Sequence, residues 1–539
     1  MRETKWETSE GFLVRKCLIL IAALLFLIAF ALAQEQQNDL SSLVSKLLNA
    51  QESEQGQIIN SILSLNPQPE HVENLLKQGV EYSKDVKKGW QILTTSCSDG
   101  KSRPFHVYVP DSYDPAKRWS VLINLHGAVS RPTLLSEQIM KGFRQMWSPE
   151  AKECIQILPL GQGGCEWWTE VGASAILGAL RVVQRRCNID ENRVYLTGFS
   201  DGGSGVFYIA LHHSTPFAAF APLNGFIGVA EMGGEQVHLP GISNKPLYVV
   251  NCGQDRLYPA EDMKQFIDEM KKAGAKVTYK VYEKAGHDFS YGETEKPLIM
   301  DFFNRNPRNP FPAKLTIETA NVGLARVHYI RIDRIEDVGN NWDFPDNNVM
   351  FESKRAVIGV VLDQNFEEPG ARIQEVAEGS LAAKLGLAPG DVIIKLRGKD
   401  VDDVDSVRTI MASVKLGEEV TICVKRGDKL LPLKGRIEKV QPKPAFSREK
   451  ISGRIDASVS ANRVETKVKN VGAYTLFVSR DQFNVNEEVE VYTNGELSFR
   501  GKVKPDLAFI LSQYLKDRDR TMVFWGKVEI QVEKKTKEK

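Results

Sequence analysis

Between about Trp90 and Phe303 the sequence repeats one unit, a short apolar run followed by a stretch long enough for a helix. Val121-Leu122-Ile123-Asn124-Leu125 is the clearest run, and Phe105–Val109, Ile155–Leu158, Val194–Thr197, Phe220–Leu223, Leu247–Asn251 and Val277–Tyr282 are the others. A strand that is apolar on both faces has to be covered on both faces, and parallel neighbours need crossovers of about a helix in length. Ala173–Arg186 and Ala260–Ala273 supply such crossovers. The pattern predicts an α/β unit over residues 89–306, a doubly wound and mostly parallel sheet.

The chain has 539 residues, too many for one hydrophobic core, so further domains are expected. Acids and bases are mixed along it and the formal net charge is +1, which excludes broad electrostatic binding to nucleic acid. Arg15-Lys16 precede an unbroken apolar run, Cys17–Ala33, that ends in Ala31-Leu32-Ala33. A basic flank, an apolar centre and a small-x-small exit predict a signal peptide, 1–33, cut after Ala33. An uncleaved anchor is the alternative, and only then is a membrane a partner. Either way the remainder is expected outside the cytoplasm, secreted or periplasmic. Six cysteines follow the signal. A Cys165–Cys187 pair and buried free thiols both fit, and no spacing matches a metal site. Residues 34–88 carry leucines and isoleucines at helical spacing and read as a helical cap or a spacer from the membrane.

Gly198-Phe199-Ser200-Asp201-Gly202 follows the apolar run Val194–Thr197 and precedes a small-residue helical stretch. That context is what a nucleophile elbow needs: a tight strand-to-helix turn that projects a serine hydroxyl. Asp255 comes just after the run Leu247–Asn251, and His287 just after Val277–Tyr282. Serine, acid and histidine thus each stand past the C-terminal end of a strand, the edge at which open α/β sheets bind ligands. Ser200 is expected as nucleophile, His287 as base and Asp255 as its orienting acid. The oxyanion donors are expected to be the amide of Asp201 and an amide of the loop His126-Gly127-Ala128-Val129, Ala128 first and Val129 next. His126 reads as a packed histidine ordering that loop. Such chemistry requires neither metal nor organic cofactor.

With these residues in place, about two-fifths of the chain resembles secreted carboxylesterases of the α/β-hydrolase superfamily. The likeness is to the phospholipase/carboxylesterase, feruloyl-esterase and polyhydroxybutyrate-depolymerase-like group. It is carried by Asp99-Gly100-Lys101-Ser102-Arg103-Pro104-Phe105, Tyr108-Val109-Pro110, Leu125-His126-Gly127, Gly198-Phe199-Ser200-Asp201-Gly202-Gly203 and Gly286-His287-Asp288-Phe289. The resemblance implies hydrolysis of a small-molecule or polymer ester. Some relatives are labelled prolyl-oligopeptidase-like, which keeps a serine peptidase open, and a non-catalytic envelope scaffold is a third reading. Trp167 and Trp168 are expected to line the substrate pocket, with core packing as the other role for at least one of them.

Residues 355–440 resemble a bacterial, protease-associated PDZ domain. The carriers are Val357-Ile358-Gly359-Val360-Val361, Gly379-Ser380-Leu381-Ala382-Ala383 and Gly386-Leu387-Ala388-Pro389-Gly390-Asp391-Val392-Ile393. The resemblance implies that Ile358, Gly359 and Val360 receive the C-terminus of a peptide, which adds as a strand facing a helix at about Val404–Val414. A spacer role is the alternative. On both sides of this unit the sequence returns to β patterns, with Asn494-Gly495 marking a hairpin. Residues 313–345 and 448–535 are expected to form one β-rich accessory domain interrupted by the PDZ unit.

Overall fold

The computed structural model describes residues 37–534 except 340–342, 345–348, 353–355, 364, 365, 367, 412 and 439–441. The expected signal segment, 1–33, lies outside them. The α/β part is built on eight strands: β1 (Gly89–Ser96), β2 (Ser102–Val109), β3 (Trp119–Leu125), β4 (Ile155–Pro159), β5 (Ile189–Phe199), β6 (Ala219–Leu223), β7 (Leu247–Cys252) and β8 (Val277–Tyr282). They form one sheet in the order β1-β2-β4-β3-β5-β6-β7-β8. β1 and β2 are antiparallel and β3 to β8 run parallel. Strands β4, β6 and β7 are buried at every residue, which is why they read as continuous apolar runs. β1 has no such run. It is an edge strand whose side chains alternate between partly buried and exposed, and Gln91, Thr94 and Thr95 hide it in the sequence.

The helix Asp201–His212 after β5 is buried from Gly202 to His212, so it is apolar around its whole circumference. The helix Glu170–Gln184 is capped by Thr169, whose hydroxyl accepts from the Gly172 amide. Both lie against the sheet and share its core.

Beyond the α/β part, strands on both sides of the PDZ region combine in two sheets. Lys314–Thr319 pairs with Gly453–Ser460 in a five-stranded sheet, and Ile330–Ile335 pairs with Val471–Val478 in a four-stranded one. Ile317, Ile332, Ile455, Leu476, Val491 and Ile530 come from both sheets and share one core. Asn494 and Gly495 have φ of 52° and 88°, the left-handed pair that a two-residue hairpin demands. Arg520 binds Glu191, and Arg308 binds both Asp519 and Asn192, all buried or partly buried, and so tie these sheets to the α/β part. Helices over 37–49, Glu52–Ser64 and Pro69–Gln78 pack on the helix Leu507–Asp517 through Leu47, Ile62, Leu76 and Leu511.

In the PDZ region the strand Val360–Leu362 lies at the edge of its sheet and, among the described residues, pairs with Ala371–Val376 alone. Gly359 precedes it with φ +90°, and Ile358 is buried in the PDZ core. The helix that follows runs Val404–Met411.

Candidate active site

Ser200 has φ +60° and ψ −122°, a strained conformation for a residue with a side chain. Its amide bonds to Leu223 O at 2.9 Å, which holds the turn against β6. The flanking glycines are required by close approach. A Cβ on Gly202 would stand 2.1 Å from Leu125 O, and one on Gly198 would stand 2.5 Å from Gly202 C.

The three expected residues meet. His287 Nε2 lies 2.7 Å from Ser200 Oγ, and His287 Nδ1 lies 2.7 Å from Asp255 Oδ2. With a carboxylate on the Nδ1 side, Nδ1 carries the proton and Nε2 accepts the serine hydroxyl. Asp255 is fully buried at its side chain, whereas His287 keeps 21% exposure. The amides of Leu257 and Tyr258 donate to Asp255 Oδ1 at 2.8 and 2.9 Å. Burial acts to raise the Asp255 carboxyl, but the His287 hydrogen bond and these two amides outweigh it and hold it below its ordinary value.

Asn224 was not foreseen. It is buried at the end of β6 with φ +45°, and its Nδ2 donates to Asp255 Oδ2 at 3.1 Å and to Gly286 O at 3.3 Å. Its Oδ1 accepts from Tyr291 Oη at 2.7 Å. The signal for it was its position: it is the first polar residue past an apolar run, at the same sheet edge as the other three.

The loop after β3 comes against the elbow, since a Cβ on Gly127 would lie 3.0 Å from Ser200 Cβ. Ala128 has φ +58°. The Val129 amide donates to Asp201 Oδ2 at 3.0 Å, so of the two loop amides considered, Ala128 is the one not committed to Asp201. Asp201 is the first residue of its helix, and an amide there has no partner within the helix. His126 is buried, with Gly161 N donating to Nε2 at 3.0 Å and Nδ1 donating to Gly127 O at 2.7 Å. Burial lowers its pKa, and this bonding pattern fits a neutral ring that shapes the loop.

Trp167 and Trp168 do not line an accessible pocket. Trp167 is 0% exposed and Trp168 5%, and both belong to the main hydrophobic core. The Trp167 indole donates to His126 O at 2.8 Å and packs on Gly161 and Gly205. It supports the loop after β3 from behind. Cys97, Cys154, Cys165, Cys187, Cys252 and Cys423 are free thiols. Among the described residues no group of three or more His, Cys, Asp or Glu is placed to hold a metal ion.

Residues 134–304 match the family described as the dienelactone hydrolase family, and residues 356–434 match the PDZ domain. Among curated proteins, the chain is 30% identical over 181 residues to a Serine protease Do-like HtrA of Bacillus subtilis (strain 168), covering 29% of this chain and 40% of that one. It is 29% identical over 129 residues to the bifunctional acetylxylan esterase/xylanase XynS20E of Neocallimastix patriciarum, covering 23% of this chain and 18% of that one. The chain therefore spans less than half the length of these relatives. A solved thermostable esterase is similar at 21% identity and a TM-score of 0.34, covering 41% of this chain and 63% of the other. By sheet topology and family match, the chain joins an α/β-hydrolase domain of the dienelactone hydrolase type to a PDZ domain and a β-rich region.

Proposed function

We propose that this protein is an extracytoplasmic serine hydrolase that cleaves carboxylic esters. The carrying observation is the unbroken hydrogen-bond line from Asp255 through His287 to Ser200, with the serine in a strained turn at the C-terminal edge of the sheet. His287 Nε2 takes the hydroxyl proton as Ser200 Oγ adds to the ester carbonyl carbon. The amides of Asp201 and Ala128 stabilise the oxyanion. The C–O bond breaks, the alcohol leaves with the proton from His287, and an acyl group remains on Ser200. Water gives a proton to His287 as it adds to the acyl carbon; the bond from Ser200 Oγ to the acyl carbon then breaks, His287 returns the proton to Oγ, and the acid leaves.

The basic flank and apolar run Arg15–Ala33 support export. Among the described residues no helix is long and apolar enough to cross a membrane. The open edge of Val360–Leu362 supports docking of a peptide C-terminus beside Gly359.

Ser200→Ala tests the reading. Turnover of p-nitrophenyl acetate and labelling by a fluorophosphonate probe are both expected to disappear while the thermal unfolding midpoint stays near that of the parent. Full activity in Ser200→Ala would overturn it. A matched panel of aryl esters and peptide amides then separates esterase from peptidase.

A further inference from the structure

The residue after the nucleophile does more than offer an amide. Both oxygens of the Asp201 carboxylate are occupied, Oδ2 by the Val129 amide at 3.0 Å and Oδ1 by the Tyr258 hydroxyl at 3.1 Å. Asp201 thus staples the loop carrying Ala128 to the elbow carrying Ser200. Ala128 has a left-handed backbone that a residue with a Cβ rarely adopts, and the amide next to it is the one the staple grips. Tyr258 follows Asp255 by three residues and meets the His287 ring edge to face, centroids 5.8 Å apart. Burial raises the Tyr258 phenol above its ordinary value, and the Asp201 charge and hydrogen bond add to the rise, so the phenol remains a donor at neutral pH.

Tyr258 is itself held by rings. Phe226 lies parallel to it at 6.2 Å, and Phe226 contacts Phe351 at 6.1 Å and Phe266 at 5.3 Å. Phe351 does not belong to the hydrolase part. It sits on the segment entering the PDZ domain, where Met350–Phe351 pairs with Lys443–Pro444 of the segment leaving it. This two-stranded stem is docked on the helix Ala260–Lys272. Gln265 exchanges hydrogen bonds with the Glu352 backbone at 3.0 and 3.2 Å, and Phe266 stacks on Phe351 at 5.3 Å and touches Phe446 at 5.4 Å. The Ser447 amide donates to Glu231 at 2.8 Å. A continuous set of contacts therefore runs from the PDZ stem to the residue after the nucleophile.

We propose that Asp201 and Tyr258 are positioning residues for the oxyanion loop, and that Phe351 on the PDZ stem holds Tyr258 in place through Phe226, so that the seating of the stem sets the turnover of the hydrolase site. This rests on the esterase reading for its kinetic consequence but not for its structural one. Rings in contact transmit displacement because a packed core has few voids to absorb it. A small misplacement of a transition-state donor is costly, up to about 100-fold in rate.

The test uses the full chain and two readouts. The first is amide hydrogen exchange in the segment 126–133. Val129 is expected to be protected in the parent, to lose protection in Asp201→Ala, and to exchange faster in Tyr258→Phe and Phe351→Ala. The second is steady-state hydrolysis of p-nitrophenyl acetate. Tyr258→Phe keeps the ring and is expected to lower kcat about tenfold, and Phe351→Ala about fivefold, each with KM within twofold of the parent. Unchanged exchange in both variants overturns the proposal, as does a fall in activity carried by KM alone. A parent chain without ester turnover, together with the expected exchange pattern, sinks the esterase reading and leaves the staple standing.

Discussion

Asp255 and Asp201 are both carboxylates with both oxygens hydrogen-bonded, and both stand one residue or one ring away from Ser200; Tyr258 serves both, Asp255 through its amide and Asp201 through its hydroxyl, and the remaining donors differ. Asp255 is gripped by Leu257, Tyr258, Asn224 and His287, all within the hydrolase part and all at the edge formed by β6, β7 and β8. Asp201 has two donors, Val129 and Tyr258, and the second leans on rings that reach the PDZ stem. The acid side of the site is over-determined by local hydrogen bonds. The proposed oxyanion side is held by fewer hydrogen bonds, and the ring behind one of its donors packs on to the PDZ stem. On the esterase reading, rigidity where a proton is held and dependence where charge is stabilised would be separable properties of one site.

Three measurements bear on this contrast. The largest effect is expected from Asp255→Ala, which leaves His287 without the partner that fixes its tautomer. On the esterase reading kcat falls by about four orders of magnitude, read from p-nitrophenyl acetate turnover. Next comes Asn224→Ala. It takes a donor from Asp255 and leaves the Tyr291 hydroxyl without its partner in a buried site, so urea unfolding should show a loss of about 1–3 kcal/mol. If stability is unchanged, the acid side is less dependent on Asn224 than its bonding implies. The smallest effect is an interaction energy. Asn224 and Phe351 have no hydrogen bond or ring contact in common, so the activation free energies of Asn224→Ala and Phe351→Ala should add in the double variant within about 0.5 kcal/mol. A larger deviation would mean that the two sides are one mechanical unit.

What the sequence made legible follows from the same physics. Ser200, Asp255 and His287 were readable because each follows an apolar run of a parallel sheet, and such runs all end at one edge. Asn224 ends another run, but a lone asparagine after Leu223 looks like any turn residue until its contact with Asp255 is seen. Tyr258 was hidden for a different reason: its partners Asp201 and Phe226 are remote in sequence, and no periodicity encodes a contact between loops. Trp167 left pocket and core both open in the sequence, because an indole signals a large apolar area without saying which way it faces. The glycines that receive it, Gly161 and Gly205, were the better clue, since a side chain at either would collide with the ring. β1 was missed because an exposed edge strand has no apolar run to show.

The packing of the helices over 37–78 against Leu507–Asp517 has a consequence for the order in which this protein can mature on the ribosome. Glu73 and its partner Arg480 are 407 residues apart, so the apolar face of Leu47, Ile62 and Leu76 leaves the ribosome long before the helix that covers it. The strand Lys314–Thr319 waits in the same way for Gly453–Ser460, while the whole PDZ domain is made in between. Two modules with local contacts, the hydrolase and the PDZ domain, have all their strands in hand early, and the rest must stay unaggregated until the last strands arrive. A chain lacking the residues from 507 onward would leave the apolar face of Leu47, Ile62 and Leu76 without the helix that covers it.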